Sequence, residues 1–119
     1  MKKVLVTGAT GFIGLHCIKQ LLEKGVTVRG TIRSKKREAE VIQAIRNCGL
    51  DTQNLELVET NLLHDDGWLE AMEGCDHVLH VASPNYDPDK EDIVKIAVEG
   101  TKRVLWAASQ SDIRKMVMT

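Results

Sequence analysis

Val4-Leu5-Val6-Thr7-Gly8-Ala9-Thr10-Gly11-Phe12-Ile13-Gly14 passes from a short apolar run straight into three glycines spaced three apart. A helical pattern follows, with Ile13, Cys17, Ile18, Leu21 and Leu22 on one face and Gly25 at its close. Strand, glycine turn and amphipathic helix, in that order, form the entry to a dinucleotide-binding βαβ unit. Each glycine has its own physical task. Gly8 permits the tight turn off the strand, Gly11 leaves space for a pyrophosphate against the backbone, and Gly14 lets helix and sheet approach closely. The N–H groups at the helix N-terminus then meet phosphate charge. Gly8, Thr10, Gly11, Phe12, Ile13 and Gly14 are therefore candidate cofactor-binding residues.

Outward from this turn the chain keeps alternating. Strands are predicted at 3–7, 26–32, 55–59, 78–82 and 115–119, and helices at 11–24, 36–48, 67–73 and 90–110. The last helix keeps its period through Ile93, Ile96, Ala97, Gly100, Thr101, Val104, Leu105 and Ala108. Alternation of this kind implies an α/β fold with a parallel sheet covered on both faces. Right-handed crossovers favour a Rossmann-type, doubly wound order 3-2-1-4-5, with a ligand crevice between the first and fourth strands.

The 119 residues are expected to form one domain, 1–119. Sixteen Lys and Arg against seventeen Asp and Glu leave a net charge of −1, which gives no electrostatic case for a nucleic-acid or membrane partner. Cys17, Cys48 and Cys75 form neither a CxxC pair nor a metal-ligand spacing, and no metal site is expected. Free thiols suit a reducing compartment, and Met1-Lys2-Lys3 runs at once into a strand without the apolar segment of a signal peptide. A cytoplasmic location is expected.

A second signal stands at the end of the second strand. NAD-specific domains place an acidic residue there for the ribose hydroxyls. Here the chain reads Ile32-Arg33-Ser34-Lys35-Lys36-Arg37, with no acid before Glu38. A guanidinium, a hydroxyl and further cations can face an adenosine 2′-phosphate, which an acid would repel. NADP(H) is thereby favoured over NAD(H). Basic residues at a helix start oppose its macrodipole, which argues for a functional reason.

Thr7-Gly8-Ala9-Thr10-Gly11-Phe12-Ile13-Gly14 and Val28-Arg29-Gly30-Thr31-Ile32-Arg33-Ser34 resemble the extended short-chain dehydrogenase/reductase superfamily, of NAD-dependent epimerase/dehydratase type. Gly74-Cys75-Asp76-His77-Val78-Leu79-His80-Val81-Ala82-Ser83-Pro84 and Val98-Glu99-Gly100-Thr101 add to the match, which is closest to the dihydroflavonol reductase and cinnamoyl-CoA reductase group. The resemblance implies that Arg33 contacts the 2′-phosphate, with Ser34 and one of Lys35–Arg37, for which Lys36 is taken. It places Val81, Ala82 and Ser83 beside the pyrophosphate and nicotinamide ribose. An Asp-Leu pair usually brackets the adenine after the third strand; Asn61-Leu62 stands there instead, and the asparagine carbonyl can still accept from the adenine amino group.

The superfamily's catalysis uses a serine after the fifth strand and a Tyr-x-x-x-Lys motif on the next helix. The chain ends at Thr119, and neither is expected within it, so no catalytic residue is assigned. Tyr86-Asp87-Pro88-Asp89-Lys90 has the spacing, but Pro88 interrupts it and the segment precedes the family position. His80 reads as a satisfied strand histidine, and Trp68 and Trp106 as helix-packing residues.

The implied function is the NADP(H)-binding part of an oxidoreductase that reduces a ketone, aldehyde or thioester carbonyl of a small-molecule substrate. The chain itself, as a truncated domain, is expected to be inactive and to leave its fifth strand as an open, association-prone sheet edge. Two other readings stand beside it: a nucleotide-binding sensor without catalysis, and a fragment of an NAD-dependent sugar epimerase or dehydratase.

Overall fold

The computed structural model describes residues 2–82 and 93–118. In chain order they form β1 (Lys3–Thr7), α1 (Phe12–Glu23), β2 (Thr27–Ile32), a 3-10 turn (Lys35–Arg37), α2 (Glu38–Asn47), β3 (Leu55–Glu59), α3 (Trp68–Met72), β4 (His77–His80), α4 (Ile93–Ser109) and β5 (Lys115–Met118). The five strands make one parallel sheet in the order β3-β2-β1-β4-β5, as the alternation of the sequence requires.

Side chains alternate across each strand, so the apolar runs supply two cores at once. Val4, Val6, Val28, Ile32 and Leu57 face Ile18 of α1 and Val41 and Ile45 of α2. Leu5 and Val78 face the other way, onto Trp68, Ala71 and Met72 of α3 and Val104 and Ala107 of α4. A Val, Leu or Ile fully withdrawn from water in this manner contributes roughly 1.5–3 kcal/mol before entropy is counted.

Several boundaries and faces differ from the sequence-based expectation. The helix predicted at 36–48 begins instead with the 3-10 turn, whose N-cap Ser34 accepts a hydrogen bond from the Lys36 N–H. β4 ends at His80, so Val81 and Ala82 leave the ladder and run along the sheet's carboxyl edge. On α1, Ile13 is not part of the inward face: it is 53% exposed beside Phe12, while Leu15 packs on the core. On α4, Leu105 and Trp106 point outward and Ala107 is buried in their stead. β5 is one of the sheet's two edge strands, with Val117 and Met118 about half exposed.

Candidate functional site

β1, β2 and β4 all end at the same edge of the sheet because they are parallel, and their C-terminal residues build the candidate site. Gly8 leaves β1 with φ +77°, in the left-handed region that favours glycine. It also passes so close to β4's continuation that a Cβ on it would lie 3.0 Å from the Ala82 Cα. The turn is fastened to β2 by one residue: Thr31 accepts from the Gly8 N–H with its hydroxyl (3.0 Å) and from the Ala9 N–H with its carbonyl (2.9 Å).

α1 starts at Gly11, its N-cap, with no side chain capping the first turn and no acidic residue in it. A helix end of this kind carries exposed N–H donors and partial positive charge, the elements of an anion site. A Cβ at Gly11 would meet only the Gly8 carbonyl oxygen, at 3.5 Å, so the space in front of the turn is open. At Gly14 the reverse holds, since a Cβ there would run into the Gly8 carbonyl. Phe12 and Ile13 stand exposed at the mouth, with the Phe12 ring edge-on to His16 at 4.5 Å between centroids.

The basic segment after β2 is narrower in its free charge than its sequence suggests. Lys35 donates to the Leu57 carbonyl at 3.1 Å and pairs with Glu38, and Arg37 pairs with Glu40 at 3.0 Å. The first turn of α2 is in fact acidic, through Glu38 and Glu40, so the macrodipole is satisfied. Among the described residues Arg33 and Lys36 have no carboxylate partner, and both are exposed.

After β3, the Asn61 Oδ1 accepts from the Leu63 N–H at 2.9 Å, closing an Asx turn. The expected adenine acceptor is thus already engaged and has one lone pair left. The Leu62 side chain packs toward α4, where a Cβ on Gly100 would come within 2.9 Å of it. Arg103 of α4 holds the same loop, donating to the Leu62 carbonyl and to Asp65, each at 2.8 Å. Trp68 donates its indole N–H to Asn61 and His64 carbonyls.

Beneath Val81 and Ala82 lies a buried polar chain that sequence reasoning did not connect. Thr7 is fully buried and His80 is 5% exposed. Thr7 Oγ1 accepts from the Val81 and Ala82 N–H groups at 3.0 Å each and lies 2.8 Å from His80 Nδ1. His80 Nε2 lies 3.3 Å from the Thr101 hydroxyl of α4. Burial holds the His80 imidazole below the ordinary histidine range. The unfolded chain therefore takes a proton near pH 6.5 that the folded chain refuses, so stability is retained above that pH and lost as pH falls below it. Melting followed from pH 7.5 to 5.5 should show this loss, at up to about 1.4 kcal/mol per pH unit for one proton. His80→Asn should flatten that slope.

Ser83 and the Tyr86–Lys90 pair lie outside the described residues. A cavity of about 510 Å³ opens at the opposite end of the strands. Glu70, Glu73, Asp76 and Asp112 are in its lining, a charge that disfavours an anionic ligand. Among the described residues no helix is long and apolar enough to cross a membrane.

The model of the NAD dependent epimerase/dehydratase family matches residues 4–119. The chain belongs to that family. This family member is 43% identical over 116 residues to cinnamoyl-CoA reductase 1 of Petunia hybrida, covering 98% of the chain and 34% of the relative. It is 35% identical over 123 residues to the bifunctional dihydroflavonol 4-reductase/flavanone 4-reductase of Pyrus communis, covering 99% of the chain and 35% of that protein. Among solved structures, Gre2 of Candida albicans in complex with NADPH superposes with a TM-score of 0.82 at 33% identity, over 99% of this chain and 36% of that one. The chain thus spans about a third of the length of the relatives it matches.

Proposed function

We propose that residues 1–119 are the NADP(H)-binding portion of a reductase acting on a small-molecule carbonyl, a ketone, aldehyde or thioester. The observation that carries the cofactor choice is the pair of cations, Arg33 and Lys36, that have no carboxylate partner among the described residues and stand after β2, on the edge where the uncapped α1 N-terminus opens. The glycine turn and the N–H groups of α1 would hold the pyrophosphate, and the Gly11 opening fits that group because no side chain fills it. Arg33, with Lys36 and the Ser34 hydroxyl, would take the 2′-phosphate; Asn61 and the Leu62 backbone would border the adenine, and Val81 to Ser83 the nicotinamide side. Bound NADPH supplies a hydride to a carbonyl carbon. The reductase names of the relatives and the NADPH held by Gre2 support this reading, and the free cysteines Cys17, Cys48 and Cys75 suit a reducing cytoplasm.

Fluorescence titration tests it directly. NADPH is expected to bind more tightly than NADH, and Arg33→Ala to weaken NADPH by about 10- to 100-fold, the worth of charge-assisted hydrogen bonds to a phosphate. NADH binding should barely change in that variant. Equal binding of both dinucleotides to the unaltered chain would remove the assignment of the 2′-phosphate site.

A further inference from the structure

We infer that His80 is a positioning residue for the dinucleotide site, held as the neutral imidazole protonated on Nε2 and acting through Thr7 on the Val81–Ala82 segment. This rests on the dinucleotide reading above. The tautomer follows from counting donors. A hydroxyl has two lone pairs and one hydrogen. The Val81 and Ala82 N–H groups, each 3.0 Å from Thr7 Oγ1, occupy both lone pairs. The hydroxyl hydrogen is then left for His80 Nδ1 at 2.8 Å, which must be an acceptor. Nε2 consequently carries the proton and donates toward the Thr101 hydroxyl at 3.3 Å.

The chain of bonds runs from α4 through β4 and β1 to the backbone amides of Val81 and Ala82, the two residues that follow β4. Those amides set the course of the segment touching Gly8, whose missing Cβ brings it to within reach of the Ala82 Cα. Without an acceptor at the Nδ1 position, the Thr7 hydroxyl must reorient, and a lone pair that served Val81 or Ala82 is compromised. The floor between β1 and β4 would then lose its fixed shape, and the affinity that depends on it would fall.

The test uses the whole 119-residue chain. Nitrogen NMR of its imidazoles, with His80 assigned through its bonds to its own backbone, is expected to show a pyridine-type Nδ1 and a protonated Nε2 at neutral pH. An Nδ1–H tautomer or an imidazolium would overturn the proposal whether or not any variant folds. NADPH titration then compares His80→Asn with His80→Gln, both checked for cooperative melting. The Asn Oδ1 falls where Nδ1 was and can accept from Thr7, whereas the Gln amide reaches only the Nε2 position. Asn is expected to keep affinity within about threefold and Gln to lose about tenfold, the worth of one or two hydrogen bonds. A role confined to filling space gives the opposite ranking, since Gln is nearer to His in volume, and that ranking or equal affinities would overturn the proposal. Failure of the unaltered chain to bind NADPH would instead strike the dinucleotide reading, while the tautomer measurement would still judge the relay.

Discussion

Replacing Arg29 with methionine is expected to destabilise the fold by about 3–5 kcal/mol, from carbonyls that lose a charged donor at about 1–3 kcal/mol each. Arg29 lies in the middle of β2 and is only 8% exposed. Its Nη1 donates to the carbonyls of Ala71 at 2.8 Å and Glu73 at 2.6 Å, at the C-terminal end of α3. A five-residue helix has little internal stability, and its last carbonyls have no partner within the helix. The guanidinium supplies donors and opposes the negative end of the dipole in one group. Its Nε lies 3.4 Å from a Glu56 carboxylate oxygen but off the hydrogen-bonding direction, so that contact is coulombic.

Methionine keeps much of the stem and removes the charge, so the buried Ala71 carbonyl and the part-buried Glu73 carbonyl lose their guanidinium donor. Denaturant unfolding should show the loss as a lowered midpoint. Glu56 provides an internal check. Burial pushes its carboxyl up, but the Lys3 hydrogen bond and the Arg29 and Lys3 charges outweigh it, holding the group below the ordinary glutamate range. Its contribution is present above that range and is lost as pH falls through the folded value, and removing Arg29 should shrink this acid-side loss. A midpoint unchanged from the unaltered chain would show that α3 needs no cap from β2.

The parts of the fold legible in the sequence are those whose cause is local. Apolar runs at strand length, helical spacing and glycine punctuation set the element order, and crossover handedness then leaves little choice of strand order. The sequence also holds the pairing that limits the basic segment: Lys35 to Glu38 and Arg37 to Glu40 are three apart, a spacing at which charges meet on a helical turn. Counting that pairing leaves Arg33 and Lys36 as the cations of this segment without a carboxylate partner among the described residues. Thr7 and His80, by contrast, are 73 residues apart, and only the parallel register of β1 and β4, which sets them side by side, makes them partners. Nothing local distinguishes Thr31 from any β-branched strand residue, although it fastens the turn. Arg29 did leave a mark: a charged residue inside an apolar run demands partners, but the carbonyls it serves are more than forty residues away and Glu56 stands on the neighbouring strand.

Two neighbouring glycines of the turn should respond to the same substitution in opposite ways. Gly14→Ala is expected to destabilise the chain by about 3 kcal/mol, although alanine is the better helix former by roughly 1 kcal/mol. The added Cβ would collide with the Gly8 carbonyl oxygen and lie 2.9 Å from its carbon. Both atoms are backbone, so no rotamer change relieves the clash; either α1 moves off the sheet or the Gly8 turn opens. Gly8 is itself pinned by Thr31 and pressed against Ala82, which leaves the turn little freedom to yield. At Gly11 the backbone is extended, φ −79° and ψ 160°, a conformation any residue adopts, and the new Cβ makes only an ordinary contact at 3.5 Å. Gly11→Ala should therefore melt within about 1 kcal/mol of the unaltered chain, the modest cost of alanine at an N-cap. It places a methyl group where the proposed pyrophosphate would approach the helix N-terminus, and NADPH affinity should fall by about tenfold or more, as loss of a charge-assisted contact requires. The contrast separates packing from ligand space within a single turn. If Gly11→Ala binds NADPH as the unaltered chain does, the phosphate does not lie against α1.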